Sequence, residues 1–248
     1  MLAFARETRL SETTFVQAAT EPGADYRNRI FDPARELRFA GHPSLGTAVA
    51  VAHERGEARA AYVQQTPAGL QPVDVTLDGR RAEASMLQEP ATFGEELDRE
   101  AILGHAGLAA ADGDPELPPQ VVGAGVPQVI APVREAALAR ARPDYDRIAE
   151  LLDGFEAIVL YLAACDPGAG TARARAFAHT AAMGEDPATG SAAGPLMAYL
   201  HRRAGIDRLR IEQGIEMGRP SELRCAMDGD RPRVGGAATV LIEGSVHL

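Results

Sequence analysis

The chain contains no lysine: all 25 residues counted as Lys+Arg are arginine. A Schiff-base lysine is thereby excluded, and with it pyridoxal-phosphate and lysine-aldolase chemistry. A phosphate-cradling P-loop lysine is excluded on the same ground. Tryptophan is absent, and the two cysteines, Cys165 and Cys225, are too few for a disulfide framework. Cys and His nowhere cluster at zinc-ligand spacing. No G-x-G-x-x-G follows a strand-like run, so a Rossmann cofactor site is not expected. No basic run occurs and the net charge is −10, which argues against nucleic acid and membrane surfaces as partners. Neither a signal peptide nor an apolar run long enough to span a bilayer is found. The expectation is a soluble protein of the reducing cytoplasm. Its chemistry is left to carboxylates, histidine and backbone dipoles.

What is present centres on Gly184-Glu185-Asp186-Pro187-Ala188-Thr189-Gly190-Ser191-Ala192-Ala193-Gly194-Pro195. Pro187 suits the first turn of a helix because it has no N–H to leave unpaired. Asp186 stands where an N-cap would accept from the free amides. An apolar run, Leu196 to Leu200, follows. A helix begun this way offers free N–H groups and the positive end of its dipole to a carboxylate or to developing negative charge. An ordinary capped helix, rich in Gly and Ala for packing, would carry the same local pattern.

A second stretch, Gly41-His42-Pro43-Ser44-Leu45-Gly46-Thr47-Ala48, repeats the layout: polar residue, Pro, Gly three residues on, hydroxyl residue, Ala. The two lie about half the chain apart. This predicts an internal duplication, with two similar domains that each carry one motif at a helix N-terminus. If those N-termini face each other, they make one pocket at a domain junction, where ligand sites often lie.

At 248 residues and 46% apolar the chain suits one large domain or two smaller ones. The pattern predicts a helix over Leu2–Leu10, a strand over Ser11–Val16, a strand over Tyr26–Phe31 and a buried helix from Pro43 to about His53. Strands over Ala61–Gln65, Gln71–Leu77 and Arg81–Met86 follow, then a charged surface helix over Glu95–Gly104. The polar, Pro/Gly-rich run Ala109–Pro119 marks the junction, giving domains 1–113 and 114–248, with a last strand that packs on the first domain. In the second domain, Gln120–Val133 reads as strand, turn and strand, and Asp144–Leu152 as a helix. Strands at Ala157–Ala163 and Ala172–Phe177 precede a helix from Pro187 to about Arg203. Strands at Arg208–Gln213, Glu222–Met227, Arg231–Gly235 and Ala238–Ile242 complete it. Each half thus reads as a twisted sheet rolled around one helix. Glu12, at a helix-to-strand junction among apolar neighbours, is expected to be partly buried with a raised pKa, which suits general acid–base work.

Three segments in register, Leu10–Val16, Glu36–Ala48 and Gly184–Pro195, together with Gln213-Gly214 and Met217–Ser221, resemble the signature segments of the PhzF (phenazine biosynthesis protein) family, and the similarity runs through nearly the whole chain. The resemblance implies an α+β, diaminopimelate-epimerase-like fold: two pseudosymmetric domains, each a β-sheet or barrel wrapped around a central helix. It implies an isomerase that moves a proton within a small carboxylic acid, with no cofactor, no metal and a homodimeric assembly. The family's Glu falls on Glu12, as the base that takes a proton and returns it. Its His and Asp fall on His42 and Asp186, which hold the substrate and assist. Ser11, Ser44 and Ser191, with the backbone at Gly41 and Gly190, fall at substrate-binding positions. Family members carry some tens of residues, with the first strands and an Asn-Pro segment, ahead of the stretch that matches Leu2–Leu10; the first domain is expected to lack those strands. Arg38 stands where the family usually has Pro, and Gln128 where His is common.

Two other readings stay open. A catalytically impaired, small-molecule-binding relative would bind without turnover. An amino-acid epimerase or racemase on the same fold would need two facing thiols at the helix N-termini, where this chain has His42 and Asp186. His53, His105, His179, His201 and His247 fit no site pattern and are read as packed or surface residues.

Overall fold

Alternation of apolar and polar residues sets most of the strands. In Gly69–Asp78, Val73 and Val75 are buried while Asp74 and Thr76 are exposed, the period-2 pattern of a strand with one covered face. The computed structural model describes residues 1–178 and 184–246. It divides into two compact units, Met1–Leu87 with the chain from Gly235 on, and Gln88–Val234.

The first unit runs α1 (Leu2–Thr8), β1 (Thr13–Gln17), β2 (Tyr26–Phe31), β3 (Glu36–Leu37), α2 (Gly41–Arg55), β4 (Arg59–Thr66), β5 (Gly69–Asp78) and β6 (Arg81–Leu87). Its sheet order is β1-β2-β4-β5-β6, with β3 added on β2. β2 and β4 are parallel, and α2 is the crossover between them. Ala48, Val49, Val51 and Ala52 of α2 pack against Tyr26, Tyr62, Val73 and Val75 of the sheet.

The second unit contains β7 (Thr92–Glu96), α3 (Arg99–Gly104), β8 (Gln120–Gly123), β9 (Pro127–Pro132), α4 (Glu135–Leu138), α5 (Tyr145–Gly154), β10 (Val159–Asp166), β11 (Thr171–Ala178), β12 (Glu185–Asp186), α6 (Gly190–Ala204), β13 (Arg208–Gln213) and β14 (Ser221–Asp228). β15 (Arg231–Thr239) begins here and ends in the first unit. The order is β14-β13-β11-β10-β9-β8-β7, with β12 added on β11. The central strands β9, β10 and β11 are covered on both faces, whereas β13 and β14 expose alternate residues. Tyr161 and Ala163 turn toward α6, whose residues from Ala192 to Leu200 are all buried. Leu160, Leu162 and Phe177 turn toward α3, α4 and α5. Each large apolar side chain of α6 so buried contributes about 1.5–3 kcal/mol.

The duplication is visible in the topology. In each unit a strand is followed by a two-residue strand that pairs back on it antiparallel, then a 15-residue helix, then a strand parallel to the first. Both helices end on a glycine in the left-handed region, Gly56 and Gly205, whose amide bonds back into the last turn. The fold is α+β, with a central helix in each unit's sheet.

Two expectations are corrected. Glu95 and Glu96 close a strand, and the helix is confined to Arg99–Gly104, where the Asp98 side chain accepts from the Ala101 amide. That helix belongs to the second unit, because Ile102 and Leu103 are buried against β9 and β10. The two compact units part at Leu87/Gln88. The two short strands expected at Arg231–Gly235 and Ala238–Ile242 are one strand ending at Thr239, and Leu241 and Ile242 are exposed. Among the described residues, no helix is long and apolar enough to cross a membrane.

Candidate active site

In the first unit the chain brings Glu12 and His42 together. Glu12 immediately precedes β1, and His42 is the second residue of α2. His42 Nε2 lies 2.9 Å from Glu12 Oε2, with the Glu12 side chain 20% exposed and the His42 side chain 49% exposed. The Thr47 hydroxyl, buried in α2, lies 2.8 Å from both Thr14 Oγ1 on β1 and the Pro43 carbonyl oxygen. It ties the helix to the strand beside the Glu12–His42 pair. Burial pushes the Glu12 carboxyl up, but hydrogen bonds from His42 and Ser11 and the His42 charge outweigh it, and its pKa lies below the usual value. The raised pKa expected from the sequence is not found in this state. The partner supplied by α2 was not readable from the strand's own neighbours.

In the second unit Asp186 lies in β12, paired opposite Ala176. The α6 helix starts at Gly190, not at Pro187, so Pro187 is outside it and Asp186 is not its cap. The N-cap is Thr189, whose hydroxyl instead donates to Asp186 Oδ2 at 2.6 Å. Neither α2 nor α6 has a side-chain cap, whereas Asp98 and Asp144 cap α3 and α5. The first-turn amides of the two central helices are thus not taken by a capping side chain. Gly190 and Ser191 open α6 and are partly accessible. In α2, Gly41 is partly accessible but Ser44 is fully buried, and Ser11, the residue before Glu12, is exposed. Ser44 cannot touch a ligand without movement of its surroundings.

The residues that the sequence did not single out are those that hold the loop. Gln213 stands at the end of β13. Its side chain is fully buried and bonded to Tyr161, Thr189 and the Asp186 carbonyl. Gln88 lies against α6 and donates Nε2 to the Gly190 carbonyl at 2.8 Å. A Cβ on Gly194 would meet Gln88 Cδ at 2.7 Å and Pro232 Cγ at 3.2 Å, whereas a Cβ on Gly190 would meet only Val234 Cγ1 at 3.8 Å. One substitution in one helix is therefore expected to act in two directions. Gly194→Ala overpacks and costs about 1–3 kcal/mol. Gly190→Ala fits and gains up to about 1 kcal/mol by restricting the unfolded chain. Thermal unfolding of the two variants side by side checks this; equal shifts would refute it.

His53 pairs with Glu243, and His105 Nδ1 and His201 Nδ1 each lie within hydrogen-bond distance of a backbone carbonyl. His179 and His247 lie outside the described residues. Gln128 is fully buried on β9 and accepts from the Val159 amide, so it serves strand packing. Both cysteines lie in the second unit, and burial pushes each thiol up to about 12. Neither supplies a thiolate near neutral pH, which counts against a two-thiol racemase. Among the described residues, no group of three or more His, Cys, Asp or Glu is placed to hold a metal ion.

Residues 1–244 match the model of the phenazine biosynthesis-like protein family. The chain is 34% identical to a trans-2,3-dihydro-3-hydroxyanthranilate isomerase of Pseudomonas aeruginosa, over 100% of this chain and 88% of the relative. Among solved structures it superposes on a predicted epimerase from Pseudomonas aeruginosa with a TM-score of 0.81 and 32% identity, covering 98% of this chain and 88% of the other. A hydroxyproline epimerase from Agrobacterium vitis shares the fold at a TM-score of 0.62 and 15% identity, over 92% and 72% of the two chains.

Proposed function

The chain belongs to the phenazine biosynthesis-like protein family, and from that premise we propose that it is an isomerase that shifts a proton within a small unsaturated carboxylic acid, with Glu12 as the acid–base group. The observation that carries this is the Glu12–His42 pair, 2.9 Å apart at the start of α2 and open to solvent through the imidazole. The Glu12 carboxylate takes a proton from a carbon next to the unsaturated system, the double bond shifts, and the same carboxyl delivers the proton to another carbon. One C–H bond breaks and one forms, and no electron carrier is consumed, so the reaction calls for no cofactor. His42 orients the carboxylate and holds a polar group of the substrate. Asp186 is assigned to the same reaction by its motif, as a group that holds the substrate's amino function. The uncapped amides at Gly41 and Gly190, with Ser11 and Ser191, are assigned to the substrate carboxylate and to the negative charge that develops when the proton leaves. Preorganised dipoles of this kind stabilise such charge without reorganisation.

The substrate named for the relative, trans-2,3-dihydro-3-hydroxyanthranilate, is the first compound to test. Incubation in D₂O followed by proton NMR should show its conversion, with one carbon-bound position altered. Binding without conversion of this compound or of a panel of related unsaturated amino acids would favour the impaired, binding-only relative instead.

A further inference from the structure

We infer that Gln213 and Thr189 are positioning residues that fix the carboxylate of Asp186. The inference rests on the reading of Asp186 as a substrate-holding group, and it names what holds that group in place. Gln213 has room for four hydrogen bonds, and all four are made inside the protein. Its Oε1 accepts from the Tyr161 hydroxyl at 2.9 Å and from the Thr189 amide at 3.2 Å. Its Nε2 donates to the Asp186 carbonyl at 2.6 Å and to Thr189 Oγ1 at 2.9 Å.

The direction of every bond is forced. A backbone N–H can only donate and a backbone C=O can only accept, so the Thr189 amide and the Asp186 carbonyl together fix which end of the Gln213 side chain is oxygen. That places an N–H on Thr189 Oγ1. The single hydroxyl proton of Thr189 is then left for Asp186 Oδ2, 2.6 Å away. Two backbone groups in the loop thereby dictate, through an amide and a hydroxyl, where one carboxylate oxygen sits. Gln213, Tyr161 and Thr189 are 0%, 0% and 5% exposed, so water does not compete for these bonds. A carboxylate on a two-residue strand followed by Pro187 has few local restraints of its own. The relay supplies them from β13 and β10, the core strands that carry Gln213 and Tyr161.

Thr189→Val and Thr189→Ser separate this role from packing. Val keeps the shape and removes the hydroxyl, while the Gln213 bond to the Asp186 carbonyl remains. Misplacement of a substrate-holding group by a fraction of an ångström to 1 Å costs up to about 100-fold. The expected result is a fall in kcat of about 10- to 100-fold in Thr189→Val, out of proportion to any change in KM and in Tm, and recovery in Thr189→Ser. The Asp186 side-chain carboxyl ¹³C resonance should move in the Val variant and return in the Ser variant, whether or not the substrate is turned over. Wild-type kcat and an unmoved resonance in Thr189→Val would overturn the inference. So would a Ser variant as impaired as Val, because then the loss belongs to packing. If the wild-type chain converts nothing while the resonance responds as described, the relay stands and the isomerase reading fails. If Glu12→Gln is inactive while Thr189→Val is fully active, the isomerase reading stands and the relay fails.

Discussion

Glu12→Gln is expected to lower turnover by about 10²–10⁴-fold, the usual contribution of a general acid–base group, and to leave the fold intact. Gln has the same shape, and its amide can still lie against His42 and Ser11, which both hydrogen-bond the carboxylate. What it lacks is the capacity to take a proton from carbon and hand it back. Circular dichroism and Tm should therefore stay near wild type while conversion is lost. A Glu12→Gln chain that still converts substrate at an undiminished rate would remove Glu12 from the reaction.

The depressed pKa of Glu12 sharpens that expectation. Hydrogen bonds and charge from His42 favour the carboxylate in the free protein, so the base form is already present at neutral pH. A weakly basic carboxylate is nonetheless poorly matched to a carbon acid. The match improves once a substrate excludes water from the half-exposed imidazole and draws His42 toward itself, because the desolvation that already raises the Glu12 pKa then meets less opposition. The acid limb of kcat/KM, which reports the free enzyme, is thus expected below the ordinary glutamate value of 4.5. The acid limb of kcat, which reports the bound complex, should lie at higher pH. Coincident limbs would show that the substrate does not perturb the pair. For folding the sign is the same as for any depressed carboxyl: the Glu12 contribution is present above the unfolded pKa and is lost as pH falls through the folded one.

How much of this was legible in the sequence depends on whether the signal was local. The strands with one covered face, Tyr26–Phe31 and Arg208–Gln213 among them, follow from alternation alone. The two central helices follow from long Ala-rich apolar runs. Thr92–Glu96 did not, because only Phe93 among its side chains is apolar and it is held by pairing with β8 across an irregular register. Charged residues before an apolar run looked like a helix start. The same limit applies at the site. The repeated motif marked His42 and Asp186, but it hid a difference: α2 starts two residues before Pro43 and α6 three residues after Pro187. Which residue caps a helix depends on where the chain enters it, and that is decided by β12, which Gln213 holds from 27 residues away. A lone glutamine at a strand end carries no sequence mark of such a role.

Arg175→Met should produce the largest loss of stability of any single change near Asp186. Arg175 on β11 is 7% exposed, and its guanidinium forks onto Glu185 at 2.8 and 2.7 Å. It also donates to the Leu138 carbonyl at 2.6 Å and stacks 5.0 Å from the Phe177 ring. Glu185 is the neighbour of Asp186 in the two-residue strand β12, which is too short to hold its register by ladder bonds alone. The ion pair on one side and the Gln213 relay on the other are what keep it in place. Removing the arginine leaves the largely buried Glu185 side chain, 13% exposed, without its partner, a situation that costs up to about 3–5 kcal/mol. For a chain of this size that corresponds to a Tm lower by about 6–20 °C. Replacing both partners, Arg175→Met with Glu185→Leu, removes the uncompensated charge and should recover much of that loss, since the pair itself has little net value over an apolar pair of similar volume. Activity should not recover with it. The double variant restores burial but not the fork that aligns β12, so kcat should stay depressed at a temperature where the protein is fully folded. A double variant that regains both stability and kcat would show that β12 is held by packing, and that the arginine fork contributes nothing to the placement of Asp186.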